Sequence, residues 1–266
     1  MSRSMVVYHA GVWFARALYA VMGWPVRVTG GHLLPATGPV VVASNHVSHL
    51  DPMHLGVVIT RLGRQVTFLG KRELFQLRVI GPMLRRAGQI EVDRGGDAAG
   101  ALQPAVAVLR QGDVVAVFPE GTISTSFVPC PPRLGAARMA LEAHAPIVPV
   151  AVWGGQRIVT KGRNNLRPPF MKTRGVLMTV TFGAPIIPRP DEDAGQLMAR
   201  AWEAVGHLTE HAARTYPHRP QGQADSWWVP VHLGGGAPTV QESLQFRAAE
   251  AASRRQRRET ELSAEE

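Results

Sequence analysis

A single cysteine, Cys130, among 266 residues leaves no partner within the chain for a disulfide and no Cys-built zinc site. That usage fits a reducing compartment. No uninterrupted apolar run reaches the ~20 residues of a membrane-spanning helix. The nearest, MVVYHAGVWFARALYAVMGW at residues 5–24, is interrupted by His9 and Arg16. The opening MSRSMVVYHAGVWF has no small-residue cleavage site after an apolar core, so no secretory signal is expected. No basic stretch is interleaved with aromatics and no nucleic-acid motif occurs, so nucleic acid is not expected as a partner. Acidic residues are outnumbered, 20 against 29 basic, and the net charge of +9 calls for an acidic partner such as an anionic lipid surface or a phosphorylated small molecule. Part of that charge lies in RRQRR at residues 254–258, expected to be a solvated end.

What is present is core material. Hydrophobic residues make up 45% of a chain long enough for one large domain. PVVVAS (39–44), VTFLG (66–70), DVVAVFP (113–119), PIVPVAVWG (146–154) and VLMTVTFG (176–183) are short, valine-rich and apolar on both faces, the pattern of strands covered on both sides. Helical stretches separate them: AAGALQPAVAVLRQ capped by Asp97, GAARMALEAHA at 135–145, and residues 193–215. The fold expected is α/β, a single domain with a mixed, mostly parallel sheet flanked by helices, plus an N-terminal amphipathic helix. Boundaries follow: residues 1–25 an N-terminal membrane-interface helix, 26–216 the α/β domain, and 217–266 an irregular segment with a charged C-terminal tail. In the first segment Val6, Ala10, Trp13, Phe14, Ala17 and Val21 recur on one helical face. Two readings stay open there. The helix docks on the domain, or it lies in a membrane interface with Trp13, Tyr19 and Trp24 at headgroup depth. Trp227 and Trp228 allow the same two readings, a packed lid or an interfacial anchor.

The chemistry gathers where loops leave predicted strands, the place where open α/β sheets bind ligands. SNHVSHLD follows PVVVA, GKRELF follows VTFL, EVDR ends QIEV, and PEGTIS follows DVVAVF. His46 and Asp51 lie five residues apart, so an imidazole that titrates near neutrality can meet a carboxylate that fixes its tautomer. Asn45 and Ser48 suit the turn between them. The competing reading is a metal nest of His46, His49, Asp51 and His54. Its order, His-x-x-His-x-Asp-x-x-His, differs from the His-x-His-x-Asp-His loop of binuclear metal hydrolases. The later histidines, His144, His207, His211 and His218, form no ligand pattern. No metal is therefore expected, and His49 and His54 read as helix-turn residues.

Asn45-His46-Val47-Ser48-His49-Leu50-Asp51 resembles the first block of the glycerolipid acyltransferases of the lysophosphatidic acid acyltransferase type. GQIEVDR (88–94) resembles the second block, VFPEGT (117–122) the third and APIVPVAV (145–152) the fourth, in order across roughly residues 26–190. The resemblance implies His46 as base and Asp51 as its orienting partner. It implies Arg94 as a phosphate ligand, with Lys71 as helper, and Glu120, Gly121 and Thr122 at the acceptor, where Glu120 either orients the acceptor's hydroxyls or holds the loop by accepting backbone N–H bonds. Gly121 and Thr122 could offer amides to the developing oxyanion. It implies acyl-CoA or acyl carrier protein as the acyl donor, a co-substrate, and no cofactor. It further implies lysophosphatidate as the acceptor, phosphatidate as the product, and the cytoplasmic face of the cell membrane, an anionic surface, as the place of action. Many relatives carry an arginine after the threonine of the third block, where this chain has Ile123. Arg133 is the residue considered for that contact. The alternatives are another acceptor (glycerol 3-phosphate, another lysolipid or a glycolipid), a metal-dependent hydrolase, and a non-catalytic lipid-binding protein.

Overall fold

The structure, a computed structural model, describes residues 3–92, 100–164 and 173–265. Its strands are β1 (Val26–Thr29), β2 (Val40–Ser44), β3 (Val66–Lys71), β4 (Ile90–Val92), β5 (Val114–Val117), β6 (Ile147–Trp153), β7 (Val159–Thr160), β8 (Arg163–Asn164) and β9 (Met178–Phe182). Its helices are α1 (Arg3–Met22), α2 (Asp51–Arg61), α3 (Arg72–Phe75), α4 (Ile80–Arg86), α5 (Gln103–Arg110), α6 (Gly135–Glu142), α7 (Ala194–Thr215) and α8 (Val240–Glu265). Seven strands form one sheet in the order β1-β9-β6-β2-β5-β3-β4, and β7 pairs with β8 apart from it. Every neighbouring pair in the large sheet is parallel except β6 with β9. The mixed, mostly parallel sheet expected from the valine runs is therefore present.

β2, β5 and β6 are buried along their whole length, as their unbroken apolar runs require. β2 is central, with Val42 opposite Ala116 on one side and Val148 on the other. Its alternate residues face opposite layers. Val40 and Val42 join a core with Leu55, Val58 and Ile59 of α2, whereas Val41 and Ala43 join one built by α5, α6 and the start of α7. Because β2, β3, β5 and β6 all run the same way, their carboxyl ends emerge along one edge. That edge carries the site.

Local signals behave as chemistry dictates. Asp193 caps α7 through the amide of Gln196, whose side chain returns a bond to the Asp193 amide. The proposed cap Asp97 lies outside the described residues; ahead of α5 they show a 3-10 turn at Gly100–Leu102. Trp228 is buried against Tyr216 and Trp227 packs on Phe127, with Arg157 and Arg163 over their respective rings at 4.6 Å. The packed reading of this pair is the one the structure bears out.

α1 docks on α2 and β9 through Ala15 and Tyr19, in a cluster with Val57 and Met178. This corrects the placing of Tyr19 and Trp24 at headgroup depth. Tyr19 pairs with His54 Nδ1 inside the protein, and Trp24 donates to the Thr173 carbonyl at 2.8 Å. The stripe that does face outward is the one read from the spacing: Val6, Trp13, Phe14 and Val21 are exposed, Trp13 by 71%. Beside it the α3–α4 region exposes Leu77, Val79 and Met83. By length and composition, Met5–Met22 of α1 is also apolar enough to cross a membrane.

Candidate active site

The loop after β2 is fixed before any catalytic group is placed. Asn45 bridges to β6 twice, its amide nitrogen donating to the Val152 carbonyl at 3.0 Å and its oxygen accepting from the Val152 amide at 2.8 Å. Ser48 Oγ donates to the Val159 carbonyl, and Thr160 Oγ1 donates to that of Val47, tying the loop to β7. Both turn-holding assignments, Asn45 and Ser48, correspond to real bonds.

Asp51, the first residue of α2, is fully buried and turns one oxygen back into this loop. Its Oδ2 accepts from the amides of Val47 at 2.7 Å and Ser48 at 2.8 Å, and meets His46 Nδ1 at 2.8 Å. With Nδ1–H donating to Asp51, His46 Nε2 keeps its lone pair for a substrate proton. Phe118 stacks on the imidazole, centroids 4.2 Å apart and planes 23° apart, which sets the ring's plane.

β5, beside β2, delivers the second half of the site. Glu120 Oε1 accepts from the His46 amide at 2.7 Å and Oε2 accepts from the Cys130 amide at 2.8 Å. The Ser124 amide donates to the His46 carbonyl at 2.9 Å, so the backbone of the base is gripped from both sides. Burial pushes the Glu120 carboxyl up, to about 8, against the downward pull of the Cys130 and His46 amides. Glu120 is therefore a positioning group. Of its two expected roles the structure shows the loop-holding one, and the reading of Glu120 as a substrate ligand is corrected, since both oxygens accept from backbone amides and the side chain is buried.

Gly121 adopts φ +71, and a Cβ there would stand 3.2 Å from Arg133 Nε. The positive φ is what favours glycine, and a side chain there would also crowd the Arg133 guanidinium. Its amide donates to the Phe118 carbonyl at 2.9 Å, which corrects the expectation that it joins Thr122 in meeting the oxyanion. The Thr122 side chain is occupied separately, its Oγ1 accepting from Lys161 Nζ at 2.9 Å.

His46, Gly121, Thr122, Lys71, Arg133 and Lys161 share the wall of one cavity of about 1340 Å³. Away from these polar groups it runs between α1, α2 and α4, lined by side chains such as Val12, Met53, Val57 and Met83. His49, at the mouth, has its pKa lowered by burial first and by neighbouring His46, with Lys71 and Lys161 acting in the same direction. The cations thus converge on one end of an apolar groove. Arg94 lies outside the described residues. Lys161 was missed by sequence reading, because TKGR after β6 has the look of any surface turn.

The remaining histidine of the proposed nest is differently employed. His54 is buried in α2 with Nδ1 held by Tyr19, and burial pushes its pKa down to about 4. Among the described residues no three His, Cys, Asp or Glu side chains stand together as a metal ligand group. The depressed value has a consequence for stability. Above the ordinary histidine value of 6.5 the neutral imidazole is common to folded and unfolded chains; below it the unfolded chain takes up a proton that the folded chain refuses until about 4. Stability therefore falls as pH drops through that window. Urea unfolding of the wild type should lose about 3 kcal/mol more than His54→Gln over that range. Parallel pH profiles would overturn the assignment.

A family model described as Acyltransferase matches residues 25–153. The 1-acyl-sn-glycerol-3-phosphate acyltransferase of Bacillus subtilis is 33% identical over 144 residues, 53% of this chain and 70% of that protein. This chain belongs to the acyltransferase family. The human 1-acyl-sn-glycerol-3-phosphate acyltransferase alpha is 39% identical over 133 residues, 49% of this acyltransferase and 46% of the human protein. The chain spans about half the length of the mammalian relatives it matches. The crystal structure of the 1-acyl-sn-glycerophosphate acyltransferase of Thermotoga maritima shares the fold, with a TM-score of 0.65 at 21% identity over 81% of this acyltransferase and 83% of that chain.

Proposed function

We propose that this acyltransferase moves a fatty acyl chain from acyl-CoA or acyl carrier protein to the free hydroxyl of 1-acyl-sn-glycerol 3-phosphate, forming phosphatidate. The observation that carries the reading is the Asp51-oriented His46 set in the wall of an apolar groove with cations at the same end. His46 Nε2 takes the hydroxyl proton as the oxygen attacks the thioester carbonyl. The tetrahedral intermediate collapses, the carbon–sulfur bond breaks, and the imidazolium returns the proton to the leaving thiolate. The thioester is already activated, so the base alone starts the step. The apolar walls shelter the acyl chain, each buried methylene adding about 0.8 kcal/mol to its binding. Arg94 and Lys71 serve the acceptor phosphate in this reading, and a guanidinium fork suits it bidentately.

The reading includes the place of action. The exposed Val6, Trp13, Phe14 and Val21 stripe favours a helix lying in the cytoplasmic membrane interface. The net charge of +9 suits anionic lipid. The test is EDTA-treated protein with palmitoyl-CoA, with and without lysophosphatidate, following CoA release and the mass of the lipid product. Acceptor-dependent release with a phosphatidate mass is expected. Release without acceptor would make the protein a thioesterase, and loss of activity with EDTA would revive the metal nest.

A further inference from the structure

We propose that Lys161 receives the phosphate of the acceptor, and that Glu250 of α8 holds that position as an exchangeable counter-ion until the acceptor enters. The proposal rests on the acyl-transfer reading above. Lys161 reaches the groove from the turn between β7 and β8, and its Nζ stands 2.9 Å from Thr122 Oγ1, beside the Glu120–Thr122 turn that grips His46. It also shares the electrostatic surroundings of His49 with Lys71 and His46, so its charge is felt at the catalytic end. Ile123, the neighbour of Thr122, is buried and carries no charge, and Lys161, Arg133 and Arg138 are cations of the same cavity wall.

Glu250 presents a carboxylate oxygen to the ammonium, whose Nζ also lies 4.9 Å from the Phe246 ring centroid. Both Phe246 and Glu250 are cavity-wall residues contributed by α8. A carboxylate offers the ammonium the same acceptor oxygens as a phosphate, with one negative charge where a phosphate monoester carries nearly two. The Lys161 and Glu250 side chains are 17% and 30% exposed, so the pair is part-buried with both groups still reaching water. α8 is otherwise held here by polar contacts, Ser243 with Thr125 and Arg247 with the Pro131 carbonyl. A phosphate can therefore displace the carboxylate without unfolding the core. A neutral lysolipid cannot, so the pair also selects for charge.

The experiment measures lysophosphatidate binding in mixed micelles without donor, then KM for lysophosphatidate and for palmitoyl-CoA, in wild type, Lys161→Ala, Lys161→Arg and Glu250→Gln. Lys161→Ala should weaken lysophosphatidate binding and raise its KM about 10- to 100-fold, the loss of a charge-assisted bond. The palmitoyl-CoA KM should hold, and so should the weak binding of 1-acylglycerol, which lacks the phosphate. Lys161→Arg should recover part of the loss. Glu250→Gln should tighten lysophosphatidate binding roughly two- to five-fold, the reverse direction, which a merely structural pair would not give. Unchanged lysophosphatidate binding in Lys161→Ala, an equal loss of palmitoyl-CoA affinity, or weakened binding in Glu250→Gln would overturn the proposal. Lys161-dependent binding without any transfer by the wild type would keep the site and remove the acyl-transfer reading. Transfer with Lys161-independent binding would do the opposite, and a wild type that binds no lysophosphatidate removes both.

Discussion

Replacing His46 by alanine should stop acyl transfer, lowering turnover about 10³-fold or more, while the thermal midpoint stays near that of the wild type. General base catalysis by a positioned imidazole contributes about 10²–10⁴, and among the described residues lining this groove His46 is the imidazole paired with a buried carboxylate. The fold survives because the structural bonds of this residue come from its backbone. Glu120 holds its amide and Ser124 donates to its carbonyl, and neither involves the ring. Asp51 keeps two of its three partners, the amides of Val47 and Ser48. Steady-state kinetics with circular dichroism would read both halves. Full activity in His46→Ala would sink the mechanism.

Asp51→Asn should cost nearly as much, about 10³- to 10⁴-fold in turnover, by a different route. The asparagine oxygen, set where Oδ2 stands, still accepts from the Val47 and Ser48 amides and from His46 Nδ1, so the loop and the ring keep their places. Its nitrogen falls at the buried Oδ1 position, which meets no hydrogen-bond partner among the described residues. What is lost is the negative charge that stabilises the imidazolium formed as the hydroxyl proton is taken. Because the neutral base is still in place, raising the pH should not restore the rate. A variant that keeps wild-type turnover would mean that the carboxylate charge is not used.

Much of this was legible in the sequence because strong local signals and global packing agree. Five valine-rich runs became β2, β3, β5, β6 and β9, but the expected cover on both faces holds for β2, β5 and β6, whereas β3 is mostly half-buried and β9 alternates buried with half-buried residues. β1 escaped notice because Val26–Thr29 is short and mostly exposed, an edge strand without the buried pattern. The His46–Asp51 pair was readable because the turn between them is closed by residues within it. Glu120 was half-readable: its place after a buried strand was plain, but its two bonds, to His46 and Cys130, are set by strands that meet only in the folded sheet. Lys161 and Glu250, 89 residues apart, were not readable at all. Nothing in TKGR or in the last helix announces the other. The apolar stripe of α1 was seen, whereas Tyr19 and Trp24 were misplaced because an aromatic with a polar tip suits a lipid interface and a buried hydrogen bond equally well.

α1 shows an apolar stripe to the outside and, through Val7, Gly11 and Val12, a wall to the groove. For an enzyme seated on a membrane by that stripe, a substrate need never cross water to reach His46. The acceptor proposed above would then arrive sideways, within the leaflet. The variable that governs encounter would be the mole fraction of lysolipid in the surface, so diluting that surface with inert lipid should slow the enzyme even when the molarity in the tube is unchanged.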